Sequence, residues 1–260
     1  MHPIAFTLPF GGGFPVHTYG VMMALGAIAM ILLGERWGQE DGMPEGTFEE
    51  VGLFGMLLGV VGARLEHVRV HWPDYAGDPA RWLNLREGGM VFYGSLFGLA
   101  AAVALVVFRK RVSFWRLVDV LAILVCIGHA LGRMGCFFAG CCYGLESTVP
   151  WAVVFTDPAS VAPLGVPVHP TQLYAVAYLL SLSAFLMWLR SRRSFDGQVF
   201  AGYLLIYPLL RSLNEFFRDD PRGYAFESIL GEVLTNGQAI SLGTLMLGCA
   251  VWFWRKKRQR

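Results

Sequence analysis

Residues 117–144 read LVDVLAILVCIGHALGRMGCFFAGCCYG, an apolar run that leads directly into a segment rich in glycine and cysteine. A helix of about 20 apolar residues crosses the hydrocarbon core of a bilayer. Within this run His129 and Arg133 stand four residues apart, so they share one helix face. Ionisable side chains inside a bilayer are costly and usually mark a functional site. The stretch therefore predicts a membrane-spanning helix that carries site residues near its end.

The composition of the whole chain favours the same class. Hydrophobic residues make up 55% of the 260 residues and charged residues only 15%, whereas soluble domains carry about 25% charge. The sequence predicts an all-α integral membrane protein with about seven transmembrane helices in a single polytopic membrane domain, residues 1–260. The predicted spans are His17–Leu33, Val51–Val70, Gly89–Phe108, Leu117–Cys136, Gln172–Leu189, Val199–Phe217 and Ala239–Trp254.

The distribution of basic residues predicts the orientation. Clusters at 109–116, 190–193 and 255–260 fall on one side of seven spans, whereas the connection from Gly135 to His169 has no Lys or Arg. The positive-inside rule places the basic side in the cytoplasm, so we expect the N-terminus outside and the C-terminus in the cytoplasm. The N-terminus lacks the pattern of a removable signal peptide. The net charge of +2 gives no indication of a nucleic-acid partner, and we expect none.

Three arginines lie near the predicted outer ends of three spans: Arg64, Arg133 and Arg211. We expect them to converge at the level of a lipid headgroup, because arginine binds phosphate in a bidentate manner. A structural alternative stays open for each motif. Arg211 and Glu215, at i and i+4, could simply neutralise each other, and His129 could make an ordinary interhelical hydrogen bond.

The glycines and cysteines after Arg133 also allow more than one interpretation. The glycines between Gly135 and Gly144 could permit close helix packing, or they could break the helix and expose backbone N–H groups to an anion. Cys136, Cys141 and Cys142 could pack as small buried residues, which we favour, or could form a disulfide on the outer side. Their spacing matches no common zinc pattern. We therefore expect no metal and no cofactor.

Seven motifs, in order along most of the chain, resemble those of the prolipoprotein diacylglyceryl transferase family. They are HTYG at 17–20, GARL at 62–65, GGMVFYG at 88–94, GRMG at 132–135, PWAVVF at 150–155, HPTQLY at 169–174 and RSLNEFFR at 211–218. The resemblance implies an enzyme that performs the first step of bacterial lipoprotein maturation. The diacylglyceryl group of phosphatidylglycerol moves to the lipobox cysteine thiol of a prolipoprotein, and glycerol phosphate leaves.

The resemblance also implies partners and a location. The partners would be phosphatidylglycerol, prolipoprotein signal peptides and the surrounding membrane lipids. The location would be the bacterial cytoplasmic (inner) membrane, which the chain would cross several times. The thiol must become a thiolate before it attacks, so a proton acceptor is needed. The leaving phosphate gains charge, which fixed cations would stabilise.

Several residues match the functional positions of the family. Arg133 matches the arginine of the signature motif, Arg211 and Glu215 match an arginine–glutamate pair, and Tyr19 matches an important N-terminal tyrosine. The predicted catalytic residues are His129, Tyr93, Glu215 and Tyr19. The predicted substrate-binding residues are Arg133, Arg211, Arg64, Gly144, which matches the closing glycine of the signature, and His169 of the HPTQLY motif.

The chain departs from the family where protons are handled. Tyr93 replaces the histidine proposed as base, Cys136 and Cys141 replace an asparagine and a glutamate, and Ala175 replaces a glutamate. Three outcomes follow: a variant transferase that uses His129 or Tyr93, a relative with another lipid substrate, or an inactive relative. We favour His129 as the base, with Tyr93 orienting the substrate. A membrane thiol–disulfide redox protein and a non-catalytic lipid-binding relative remain alternatives from other classes.

Overall fold

The computed structural model describes residues 2–9, 13–84, 88–219 and 236–258, and helices dominate these ranges. The long helices are α1 (Thr18–Glu40), α2 (Thr47–Val70), α4 (Phe92–Lys110), α5 (Phe114–Ala139), α6 (Thr171–Ser191), α7 (Gln198–Glu215) and α8 (Asn236–Arg258). The short elements are α3 (Trp72–Tyr75), a 3-10 turn (Pro79–Arg81) and the strands β1 (Ile4–Leu8), β2 (Phe14–His17), β3 (Val153–Val154) and β4 (Pro167–Val168).

Six of the helices in these ranges are long and apolar enough to cross a membrane, namely α1, α2, α4, α5, α6 and α8. Their best 18-residue windows have mean hydropathies of 1.3 to 1.8, and only 11% to 50% of each window is buried within the protein. Large side chains such as Phe97 and Phe108 are 72% and 83% exposed. Apolar surface on this scale needs a lipid environment, which confirms the prediction of an all-α, multi-pass membrane protein.

The remaining predicted span, Val199–Phe217, corresponds to helix α7, which is 18 residues long. It is not among the six apolar helices, since its sequence includes Gln198, Arg211, Asn214 and Glu215. The count of seven spans and the orientation of the termini therefore stay predictions. Several helices extend past the predicted limits; α1, for example, continues from the predicted end at Leu33 to Glu40.

The described chain forms two compact units, Met1–Met30 with Val118–Arg260, and Ile31–Leu117. In the second unit, α2 and α4 approach until their backbones touch. A Cβ atom on Gly62 would lie 2.3 Å from the carbonyl oxygen of Gly94, and one on Gly98 would lie 2.1 Å from that of Leu58. Here the glycines permit close helix packing, as small residues commonly do in membranes.

Acidic side chains of one helix cap the N-terminus of another in each unit. In the Ile31–Leu117 unit, Glu35 accepts hydrogen bonds from the N–H groups of Gly46, Phe48 and Glu49 at 3.0, 2.6 and 2.9 Å. In the other unit, the buried Asp119 of α5 accepts from those of Gly197 and Phe200, both at 2.8 Å. Free N–H groups at a helix start favour a negative charge, so each carboxylate joins two helices.

The connection between α5 and α6 has a small core of its own. Strands β3 and β4 pair antiparallel, with Val153 opposite Val168. Val168 of β4 also forms a buried cluster with Phe155 and Ala162. The connection is therefore an ordered structure, and it positions the cysteine segment described next.

Candidate active site

The segment from Gly140 to Gly144 begins where helix α5 ends. Gly140 has φ +71°, and a Cβ atom there would lie 1.8 Å from Oγ of Ser160 and 3.2 Å from Phe155. Cys142 also has positive φ, at 62°, a conformation that non-glycine residues adopt only when their surroundings hold them in it. Helix α5 thus ends at Ala139, directly before Gly140, and this is the helix break that one of the two alternatives predicted. Exposure of backbone N–H groups to an anion stays a prediction, and the N–H groups of Gly140, Cys141 and Gly144 donate to backbone carbonyls.

Two buried side chains at the start of α6 hold this segment. Oγ1 of Thr171 donates to the carbonyl of Cys142 at 2.7 Å, and Nε2 of Gln172 donates to the carbonyl of Cys141 at 2.8 Å. Both side chains are fully buried. Because both carbonyls are fixed, the directions of the two cysteine side chains are also restricted. The HPTQLY motif therefore supports the cysteine segment, a role that sequence reasoning missed.

Gly144 lies where three segments meet. A Cβ atom on it would lie 2.3 Å from the carbonyl oxygen of Phe217, 2.7 Å from Cβ of His169 and 2.7 Å from Cγ2 of Thr171. Its N–H donates to the carbonyl of His169 at 2.9 Å, and the N–H of Leu145 donates to that of Phe217 at 2.9 Å. The position requires glycine because the backbones come so close. Contact between Gly144 and substrate stays a prediction.

Cys136, Cys141 and Cys142 bring their three sulfur atoms together. All three Sγ atoms lie within 4.8 Å of one another, and the side chains are half-buried. The thiols are free. Hydrogen bonds from the Cys136 and Cys141 thiols, together with the nearby guanidinium of Arg218, lower the pKa of Cys142. Hydrogen bonds from Cys141 to Cys136 and Cys142, together with burial, raise the pKa of Cys141.

Tyr19 lies beside this thiol cluster. A Cβ atom on Gly135 would lie 3.1 Å from Cδ2 of Tyr19, so the tyrosine ring packs against the residue that precedes Cys136. Tyr19 is within electrostatic range of all three thiols and of Arg133. The structure therefore brings together three features that the sequence predicted separately: the N-terminal tyrosine, the signature arginine and the cysteines.

His129 and Arg133 contact each other directly, as their spacing predicts. Nε of Arg133 donates a hydrogen bond to Nε2 of His129 at 3.2 Å. This geometry occupies the lone pair on Nε2 with the guanidinium. As a base at that nitrogen, His129 would first have to lose this hydrogen bond. The role of His129 as the base stays a prediction.

Arg211 and Glu215 form an ion pair on α7, and their side chains are 12% and 10% exposed. Arg211, Arg133 and Arg218 all lie within electrostatic range of Tyr178 on α6. The hydroxyl of Tyr178 is buried, and within the described ranges it has no hydrogen-bond partner. Sequence reasoning missed Tyr178; a tyrosine in the middle of an apolar span was the available signal.

His169 is held at the edge of the same region. Its Nδ1 lies 3.0 Å from the hydroxyl of Tyr174, which accepts a hydrogen bond from Nε1 of Trp151 at 2.7 Å. The ring also lies edge-on to Phe217, with centroids 5.2 Å apart. These contacts fix the imidazole, whereas its predicted contact with substrate stays a prediction.

Arg64 and Tyr93 belong to the Ile31–Leu117 unit. Arg64 is fully buried, and its guanidinium donates to the carbonyls of Arg81, Trp82 and Gly88. These bonds hold the connection between α2 and α4, so the geometry supports a structural role. Tyr93 is 48% exposed near the start of α4. The predicted roles of both residues in substrate binding and catalysis stay predictions.

Comparison with known proteins adds independent information. The profile of the prolipoprotein diacylglyceryl transferase family matches residues 3–254. The chain is 32% identical to the phosphatidylglycerol–prolipoprotein diacylglyceryl transferase of Clostridium tetani, over 97% of each chain. It is 33% identical to the Bordetella avium enzyme of the same name, over 98% of this chain and 95% of that one. A second Clostridium enzyme, transferase 2 of Clostridium perfringens, is 30% identical over 95% and 94% of the two chains.

The family match runs from residue 3 to residue 254, so it includes both compact units and reaches into α8. The chain belongs to the prolipoprotein diacylglyceryl transferase family.

Proposed function

We propose that this protein transfers the diacylglyceryl group of phosphatidylglycerol to the lipobox cysteine thiol of bacterial prolipoproteins. The observation that carries the proposal is the cationic cluster of Arg133, Arg211 and Arg218, which all lie within electrostatic range of Tyr178. The hydroxyl of Tyr178 is buried and has no hydrogen-bond partner within the described ranges. Such a group favours a phosphate ligand, because arginine and hydroxyl donors match phosphate oxygens. The family membership and the names of the relatives support the same reaction.

The reaction is a displacement at carbon. The lipobox thiolate attacks the glyceryl carbon that carries the phosphate, a carbon–sulfur bond forms and the carbon–oxygen bond breaks. Glycerol phosphate leaves with the electron pair of the broken bond, and the product is a thioether. Negative charge grows on the departing phosphate, so Arg133 and Arg211 stabilise the transition state more than the ground state. In this scheme Glu215 orients Arg211, and His129 orients Arg133.

Tyr19, Gly144 and His169 complete the proposed site. Tyr19 lies within electrostatic range of both the thiol cluster and Arg133, and in this scheme its hydroxyl orients the incoming thiol. Gly144 is hydrogen-bonded to His169, and the adjacent Leu145 is hydrogen-bonded to Phe217, so both residues lie next to the 217–218 segment. We further propose that the protein lies in the bacterial cytoplasmic membrane with seven spans and an external N-terminus. Its partners are phosphatidylglycerol, prolipoprotein signal peptides and the surrounding lipids.

The test is lipidation by the full-length protein in phosphatidylglycerol vesicles, with a lipobox peptide as acceptor. Arg133→Gln and Arg211→Gln should each lower kcat/KM. The loss of transition-state stabilisation calculated from each decrease should be about 2–4 kcal/mol, the range for a lost oxyanion donor. Arg133→Lys should recover only part of this, because lysine cannot make the bidentate fork. Arg36→Gln is the matched control, since Arg36 is exposed and pairs with Glu40 on the same helix.

Complementation of a bacterial strain depleted of its own transferase gives the second readout. Growth and thioether-modified lipoprotein are expected with the wild-type protein and the Arg36→Gln control. If the wild-type protein binds phosphatidylglycerol but yields no thioether, the non-catalytic lipid-binding alternative is correct. If Arg133→Gln and Arg211→Gln both turn over like the wild type, these arginines do not bind the phosphate of phosphatidylglycerol during the reaction.

A further inference from the structure

The thiol cluster formed by Cys136, Cys141 and Cys142 has no role in the mechanism described so far. Its three Sγ atoms lie within 4.8 Å of one another. Tetrahedral Zn²⁺ binds thiolate sulfur at about 2.3 Å, so two sulfurs on one zinc are about 3.8 Å apart. The limit of 4.8 Å therefore exceeds the sulfur–sulfur spacing on one zinc ion by only about 1 Å.

We propose that Cys136, Cys141 and Cys142 bind one Zn²⁺ ion, whose fourth position receives the thiol of the lipobox cysteine. The inference rests on the proposed function and adds a metal centre to it. The sequence favoured ordinary packing and no metal, because the spacing C-x4-C-C matches no common zinc pattern. The structure changes this expectation, since the break at Gly140 folds Cys141 and Cys142 back toward the helix end that carries Cys136.

The surroundings of the cluster are those of a prepared site. Thr171 and Gln172, both fully buried, fix the carbonyls of Cys142 and Cys141 through hydrogen bonds of 2.7 and 2.8 Å. Cys142 is held at φ 62°, a conformation that needs support from its neighbours. Ligands that are positioned before the metal arrives reduce the ordering that binding would otherwise require.

The charges are complementary as well. Three thiolates and one Zn²⁺ carry a net charge of −1. The guanidinium of Arg218 lies beside Cys142, and Arg133 lies within electrostatic range of Cys136. A cation next to a buried metal–thiolate group offsets the remaining negative charge.

A zinc ion with three protein ligands and one open position is the arrangement of catalytic zinc sites. The substrate thiol would bind at the open position, lose its proton to solvent and remain as zinc-bound thiolate. That thiolate attacks the glyceryl carbon, the carbon–oxygen bond breaks and glycerol phosphate leaves with the electron pair. Zinc keeps its oxidation state throughout. The metal thus supplies the activation that the family's histidine would give at the position of Tyr93.

Metal analysis of the purified full-length protein tests the site independently of activity. We expect one zinc ion per chain in the wild type and its loss in Cys136→Ser, Cys141→Ser and Cys142→Ser. Cys249→Ser is the control, because Cys249 is exposed on α8 and lies outside the cluster. Substitution with Co²⁺ should give the visible absorption of a tetrahedral, thiolate-rich site in the wild type and in the control.

The catalytic part is tested by removing zinc with a chelator. Lipidation in phosphatidylglycerol vesicles should fall by about 10²–10⁴-fold, the range that a general base supplies, and added Zn²⁺ should restore it. Phosphatidylglycerol binding should be unchanged. Full lipidation by the metal-free protein and by the Cys→Ser variants would overturn the inference while leaving the proposed function intact. Stoichiometric zinc in a protein without any lipidation would instead overturn the proposed function and the catalytic role, and would leave a structural zinc site.

A disulfide within the cluster would also be decisive. The zinc inference is wrong if the protein isolated from cells contains no zinc and its mass shows a disulfide, with two hydrogens lost, between two of these cysteines. The redox alternative would then explain the cluster.

Discussion

Replacing Gly144 by alanine should disrupt the site more than its small size suggests. The new Cβ atom would lie 2.3 Å from the carbonyl oxygen of Phe217, a backbone atom that cannot rotate away. Overpacking of this kind costs about 1–3 kcal/mol. Loss of the 2.9 Å hydrogen bond from Gly144 to the carbonyl of His169 adds about 0.5–1.5 kcal/mol. We expect a loss of about 1.5–4.5 kcal/mol in the free energy of unfolding.

The same substitution should reduce lipidation. Two segments would have to move apart. One carries Phe217 and the adjacent Arg218, and the other carries Gly144 and leads back to Cys142. A misplacement of about 1 Å can cost about 10²-fold in rate. The measurements are thermal unfolding in detergent and lipidation in phosphatidylglycerol vesicles, both with the full-length protein.

Gly243→Ala is the matched control for this experiment. Gly243 lies within helix α8, and a Cβ atom there would meet nothing within 4 Å. Alanine in a helix interior is favoured over glycine by about 0.5–1 kcal/mol, so this variant should be as stable as the wild type or slightly more so. If Gly144→Ala melts and turns over like Gly243→Ala, then the close approach of the three segments is not what requires glycine.

Substitutions at His129 distinguish a positioning role from a role as the base, and a substitution at Asp119 distinguishes an effect on stability from an effect on activity. His129→Gln should retain most of the lipidation activity that His129→Ala loses, because a glutamine oxygen can still accept the hydrogen bond from Arg133; equal loss in both, with a changed pH–rate profile, would favour His129 as the base. Asp119→Ala should lower the free energy of unfolding by about 1–3 kcal/mol, since two N–H groups at the start of α7 lose their acceptor. Asp119→Ala should leave the KM for phosphatidylglycerol unchanged in the folded fraction, and a stability equal to wild type would contradict the capping role.

Much of the fold was predictable because local periodicity determines it. Apolar runs of helical length predicted the spans, and spacings of four residues predicted the contact between His129 and Arg133 and the ion pair between Arg211 and Glu215. These features depend only on residues close together in the chain, where helix geometry decides which side chains meet.

The rest depends on contacts between distant segments. The convergence of the three sulfurs needs the positive φ of Gly140 and Cys142 and two donors from α6, and no local pattern contains this information. Tyr178 of α6 lies within electrostatic range of Arg133 from α5, Arg211 from α7 and Arg218 from the segment after α7, and these residues are far apart in the sequence. The hydrogen bonds from Arg64 to the carbonyls of residues 81, 82 and 88 could not be predicted either, because they join segments that are distant in the sequence.

The capping carboxylate of Asp119 has a consequence for how the chain is assembled during synthesis. Its two N–H partners follow it by 78 and 81 residues. At a translation rate of about 5–20 residues per second, the start of α7 emerges from the ribosome about 4–16 s after Asp119. During this interval the carboxylate has to be solvated by water or by the insertion machinery. We therefore expect the N-terminal end of α5 to stay at the membrane surface until α7 has been made, so that a chain truncated before 197 would insert α5 incompletely.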